Sequence, residues 1–99
     1  MRLSALQKYI LLQCYNRIGF RIGRGGLERF YDNREMPKAE LLTKIITHSI
    51  ERLIDNGFLF GFGMRTTEKW FIREIKLTKE GLKVAQTLAS YQQRLPLRK

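Results

Sequence analysis

Apolar residues recur at helical spacing in three stretches and at strand spacing in two others, and glycine, proline or polar clusters separate them. Leu6, Tyr9, Ile10, Cys14 and Ile18 repeat every three or four positions, which predicts an amphipathic helix of about 14 residues ending near Gly19. Ser4 and Gln7 hold the positions of a capping box, so that helix is expected to begin at Ser4. Leu11, Leu12 and Tyr15 widen its apolar surface beyond one stripe. Such a helix is either central to the fold or shared with a second subunit. Four glycines in G-F-R-I-G-R-G-G, residues 19–26, rule out a stable helix and predict a flexible basic loop. Leu27 to Asn33 is read as a short helix burying Leu27, Phe30 and Tyr31, followed by a polar turn over residues 33–36.

The next pattern is the clearest. Leu42, Ile46, Ser49, Ile50 and Leu53 share one helical face, with Ile45 and Ile54 at its margins. Lys44, Thr47, His48, Glu51 and Asp55 fall opposite. Pro37 suits the first turn, where its missing N–H costs nothing. Nothing breaks the run to Asn56, so one helix of about 28 Å is expected, at ~1.5 Å per residue. Gly57 fits the left-handed position just past a helix, and Phe58 the apolar position of a Schellman motif, against Leu53.

Phe58, Phe60 and Phe62 then alternate with Leu59, Gly61 and Gly63, predicting a strand with the three phenylalanines inward. Met64 to Lys69 is the turn, and Trp70 to Leu77 the return strand. Phe71, Ile75 and Leu77 share a phase that Arg73 interrupts, while Trp70 and Ile72 stand in the other; a bulge, or burial of both faces near the turn, accounts for this. Thr78 is a good N-cap for a last helix, Glu80 suits its positive end, and Leu77 with Leu82 forms a hydrophobic staple. Leu82, Ala85, Leu88 and Ala89 are expected in the core, with fraying before Pro96 and a short, mobile basic tail. The pattern implies one α+β domain over residues 1–95 with three or four helices and a two-stranded antiparallel hairpin, then a tail over 96–99.

Charge changes the picture more than composition does. The net charge is +10 on 99 residues, which favours a polyanionic partner, nucleic acid first and an anionic membrane second. Residues 1–36 carry seven Lys/Arg against three acids, residues 37–58 three against three, and residues 59–99 nine against three. The excess therefore flanks the central helix. No apolar run approaches the ~20 residues of a membrane span, and the first residues lack a signal-peptide pattern. The single Cys14 cannot form an internal disulfide, which points to a reducing, cytoplasmic setting.

A long helix ending in S-I-E-R-L-I-D-N-G-F, a hairpin containing K-W-F-I-R-E-I-K, and then L-T-K-E-G-L-K-V-A resembles the winged-helix DNA-binding domains of prokaryotic transcriptional regulators. The multiple-antibiotic-resistance (MarR) type is the best known, and the detailed wording looks most like small archaeal winged-helix proteins. The resemblance covers about residues 37–90. It departs from the usual spacing, because no turn appears between Leu41 and Leu53; the short Leu27–Asn33 segment must serve as the helix before the recognition helix.

The resemblance implies double-stranded DNA as partner and sequence-specific transcriptional regulation as function. It points to Lys38, Lys44, Thr47 and His48 as groove-facing residues, and to a wing, with Arg65, Thr66, Thr67 and Lys69 at its tip, that reaches minor groove or phosphate. Arg21 and Arg24 of the glycine loop are expected to add phosphate contacts. Glu40, Glu51 and Asp55 would repel phosphates, so only a helix tilted to insert its N-terminal half avoids that cost. A homodimer through the first and last helices is expected. One His, one Cys and scattered acids give no metal-ligand or acid–base constellation, so neither enzyme nor cofactor nor small-molecule ligand is expected. The glycine loop matches neither phosphate-binding motif. Cys14 reads as a small core residue and Trp70 as a packing residue, unless single-stranded nucleic acid stacks on it. Binding of structured RNA or ribonucleoprotein, and a protein-interaction module, remain open alternatives, both favoured by the neutral central helix.

Overall fold

The computed structural model describes residues 2–97. Its order is α1 (Ala5–Tyr15), a 3-10 turn (Ile18–Phe20), β1 (Arg21–Gly23), a 3-10 helix (Leu27–Tyr31), α2 (Ala39–Asp55), β2 (Leu59–Arg65), β3 (Trp70–Leu77) and α3 (Lys79–Leu97). The three strands form one antiparallel sheet in the order β1-β3-β2. α1 lies at the centre. It packs chiefly on α3 and also on α2 and β3. Ile10, Leu11 and Cys14 of α1 are fully buried against Ile50, Leu53, Ile75 and Ala85.

The capping box of α1 forms as expected: Gln7 N–H donates to Ser4 Oγ at 3.1 Å and Ser4 N–H to Gln7 Oε1 at 2.8 Å. The helix is shorter than its pattern, ending at Tyr15, and Ile18 is fully exposed in the following turn. Leu11 finds its partners inside the chain, which is why α1 is apolar on more than one side. Burial pushes the Cys14 thiol up to about 12, leaving it a small core residue.

The glycine-rich segment is not simply a loop. Arg21, Ile22 and Gly23 pair with Lys76, Ile75 and Glu74, and the Arg24 N–H extends the ladder to the Arg73 carbonyl at 2.8 Å. The expected two-stranded hairpin is thus part of a three-stranded sheet. Ile22 packs against the core beside Ile75.

α2 buries Leu42, Ile46, Ile50 and Leu53, and ends as its sequence requires. Gly57 takes φ +83°, Gly57 N–H donates to Ile54 O and Phe58 N–H to Leu53 O, both at 2.9 Å. These are the two bonds of a Schellman motif. The start of α3 is locked to this stop. Thr78 Oγ1 donates to the Gly57 carbonyl at 2.6 Å and accepts from Gly81 N–H at 2.9 Å, and Thr78 N–H donates to Phe58 O at 3.1 Å. α3 then runs through Leu97 rather than fraying before Pro96; Arg98 and Lys99 lie outside the described residues.

The hairpin's phase is the opposite of the sequence expectation. Leu59 and Gly61 face inward, while Phe60 and Phe62 are 53% and 38% exposed and Phe58 is half-buried. Two causes combine. The Schellman turn sets the direction in which the chain leaves α2, and Gly61 leaves room for Ile54 and Trp70: a Cβ there would lie 2.8 Å from the Ile54 side chain and 3.1 Å from the Trp70 ring. On β3 the register shifts at Arg73, a bulge, so Ile72, Ile75 and Leu77 all point inward and Phe71 is 47% exposed.

A Cβ on Gly81 would lie 2.0 Å from the Phe58 carbonyl oxygen. Helix propensity alone would make Gly81→Ala stabilising by about 1 kcal/mol. The contact reverses that sign, and a loss of roughly 1–3 kcal/mol is expected from overpacking. Urea unfolding of the variant decides between them.

Candidate nucleic-acid interface

α2 and the β2–β3 hairpin diverge from the Gly57 junction, and a groove of about 510 Å³ lies between them and the loop after β1. Thr43 and Thr47, one turn apart on α2, form one wall. Lys69, Trp70, Ile72 and Arg73 form the other, and Arg24 lies at the base with Met64 and Phe71 at the hairpin end. The structure therefore brings Thr47, Lys69 and Arg24 together from three separate segments.

Each basic residue has its own setting. The Arg65 guanidinium lies over the Trp70 ring, 4.4 Å from its centroid, so Trp70 packs between Gly61 and a cation. Lys69 Nζ lies 5.2 Å over the exposed Phe71 ring. Arg24 is not a free loop arginine: its Nη2 donates to the Thr43 carbonyl at 3.0 Å. Burial lowers its pKa, while Glu28 and then Glu51 act in the opposite direction. Arg24 thereby ties the loop after β1 to α2. Arg21 is not in the groove. Its Nε donates to Glu74 Oε1 at 2.7 Å and its guanidinium covers Phe62 at 4.5 Å, on the outer face of the sheet.

Thr66 closes the hairpin. Its Oγ1 accepts from Lys69 N–H and donates to Lys69 O, each at 3.0 Å, and its own N–H donates to Lys69 O at 2.7 Å. Thr67 is exposed at the tip beside it. On α2, Lys44 is exposed, and Lys38 is the exposed N-cap residue, making no side-chain cap. His48 leaves the groove side. It lines a separate cleft with Arg2, Ser4, Gln7, Ser49, Arg52 and Asn56. Thr43, Trp70 and Arg73 were absent from the expected site. Only the i, i+4 spacing of Thr43 and Thr47 hinted at a shared face; Arg73 reaches the groove through the bulge.

Long helix, diverging hairpin, third strand and closing helix decide the architecture. The fold is a winged helix. Two solved structures share it: the adhesin competence repressor AdcR of Streptococcus pyogenes, with TM-score 0.65 and 17% identity over 95% of this chain and 60% of that one, and ZitR of Lactococcus lactis, with TM-score 0.62 and 14% identity over 95% and 56%. Both are winged-helix regulators of the MarR type. The chain thus spans less than two thirds of the length of either. No protein-family model and no curated protein sequence matches the chain. Among the described residues, no helix is long and apolar enough to cross a membrane.

Because Thr66 spends its hydroxyl on the turn, Thr66→Ala is expected to speed amide exchange at Glu68 and Lys69 while costing the whole domain no more than about 1 kcal/mol. Unchanged exchange at both amides would show that the hydroxyl does not hold the hairpin tip.

Proposed function

We propose that this winged helix binds double-stranded DNA as a non-enzymatic, cytoplasmic transcriptional regulator, with α2 and the β2–β3 wing as the contact surface. The observation that carries the reading is the groove itself: a helix wall of hydroxyls facing a wing of cations, on a chain of net charge +10. The two neighbours, one named a repressor, support it.

In this reading the N-terminal half of α2 enters the major groove, with Thr47 and Lys44 at base edges, Lys38 at the backbone and His48 on the far flank. Inserting that half keeps Asp55 away from phosphate. Arg65, Lys69 and the Thr66–Thr67 tip reach the phosphates beside α2. Arg24 acts at the groove base, and Arg21 is withdrawn to the opposite face of the sheet.

A homodimer through α1 and α3 is part of the proposal, on narrower ground than the sequence offered. Leu11 is consumed by the core, leaving half-buried Leu12 and Tyr15 on α1 and exposed Tyr91 on α3. Sedimentation at tens of micromolar tests it, and a monomer there would remove the dimer from the reading.

Removing one phosphate contact should lower the log–log salt slope of duplex binding by about 1, equally for preferred and random sequences. Arg65→Ala and Lys69→Ala are expected to do so. Thr47→Ala is expected to change the preference between the two duplexes by about 1–3 kcal/mol with the slope intact. Parent slopes in both wing variants would defeat the proposal and favour a protein-docking role for this surface.

The single tryptophan gives an independent check. Trp70 lines the groove, so duplex binding is expected to shift its emission and shield it from acrylamide. Unaltered emission at saturating duplex would place the contact elsewhere.

A further inference from the structure

The sheet has a second, outer face, and only its hairpin end, Met64 and Phe71, borders the groove. Phe60, Phe62 and Met64 stand at alternate positions of β2, 53%, 38% and 61% exposed, and Phe71 lies across from Met64 at 47%. On a soluble chain of this size, so many contiguous exposed apolar side chains mark a contact surface. Beside this column runs a charged one. Lys76 of β3 pairs with both Phe60 and Arg21, putting the three in one row across the sheet. Glu74 stands next to Phe62 in the following row, opposite Gly23. Lys69 covers Phe71, and Arg21 covers Phe62. In these two rows Arg21 and Lys76 outnumber the acid beside them, Glu74, which is itself engaged by Arg21.

We propose that this outer sheet face is a stacking platform for single-stranded nucleic acid, centred on Phe60 and Phe62, which lie outside the proposed duplex-binding groove. The chemistry of the two columns selects that partner. An aromatic column offers flat apolar rings to unstacked bases whatever their identity, and an adjacent basic column tracks the phosphates. A duplex keeps its bases stacked on each other and cannot use the rings. An acidic protein would satisfy the cations, yet it would not need three ring or thioether side chains in one line. The flat guanidinium of Arg21 extends the Phe62 ring as a second surface on which a base can lie. Its ion pair with Glu74 is partly exposed, so a phosphate can compete for it at little cost.

The test uses fluorescently labelled oligothymidylate and oligouridylate of 15 nucleotides, in parallel arms that separate DNA from RNA, and a duplex of the same length. Phe60→Ala and Phe62→Ala are expected to weaken binding to the single strand by about 5- to 100-fold each, the scale of losing one stacked base, and to leave duplex affinity within about twofold. Glu74→Gln is expected to tighten single-strand binding severalfold, because it removes the acid that engages Arg21. Phe60 and Phe62 are exposed and Glu74 is half-exposed, so the variants should unfold at the parent temperature, which circular dichroism checks. Parent-like single-strand affinity in both phenylalanine variants overturns the proposal. So does a dimer in the parent that Phe60→Ser converts to monomer, since the face would then belong to a second copy of the chain. Because the groove residues are untouched, failure here leaves the duplex reading standing, and failure of the duplex reading leaves this one.

Discussion

Everything in this fold depends on one close approach: the first turn of α3 against the stop of α2. Thr78 donates to the carbonyl of Gly57 and at the same time caps its own helix through Gly81. Gly81 has no side chain because the Phe58 carbonyl occupies that volume. The Schellman turn at Gly57 supplies that carbonyl in the right place. Two helix ends, which would each leave backbone groups without partners, therefore satisfy one another. The wing is the excursion between them, so its base is fixed and its tip is free to diverge from α2.

That geometry makes the groove. α2 and the hairpin share a vertex at residues 57–59 and separate toward Thr43 on one side and Lys69 on the other. Trp70 and Ile54 fill the narrow end over Gly61, and Arg24 braces the base by gripping the Thr43 carbonyl. The wing tip is held by its own hydrogen bonds through Thr66, not by packing. A packed helix wall thus faces a hairpin that is closed locally and otherwise exposed.

The sheet also divides the basic residues. The bulge at Arg73 turns the phase of β3, so the distal hairpin presents Trp70 and Ile72 inward and Phe71 outward. Arg65 then serves the groove side over Trp70, and Arg21 the outer side over Phe62. A chain with one net charge thus carries two cationic surfaces of different character, one lined with hydroxyls and one with rings.

The elements whose signals are local are legible in the amino-acid order alone. The Ser4–Gln7 box, the buried stripe of Leu42, Ile46, Ile50 and Leu53, the stop at Gly57 and the cap at Thr78 depend on spacing within a turn or two, and all four form. The wing's basic tip and the Thr47 face could be named for the same reason. Tertiary structure decided the rest. Residues 21–23 become a strand only because β3, fifty residues on, offers an open edge. Alternation in F-L-F-G-F-G says that one set of side chains faces inward without saying which. Phenylalanine is the more apolar set, yet Leu59 and Gly61 go inside, because the turn at Gly57 fixes the exit direction and the Trp70 ring fills the space a side chain at 61 would need. Strand phase has a period of two, so a single constraint of this kind at the start of β2 reverses every residue after it.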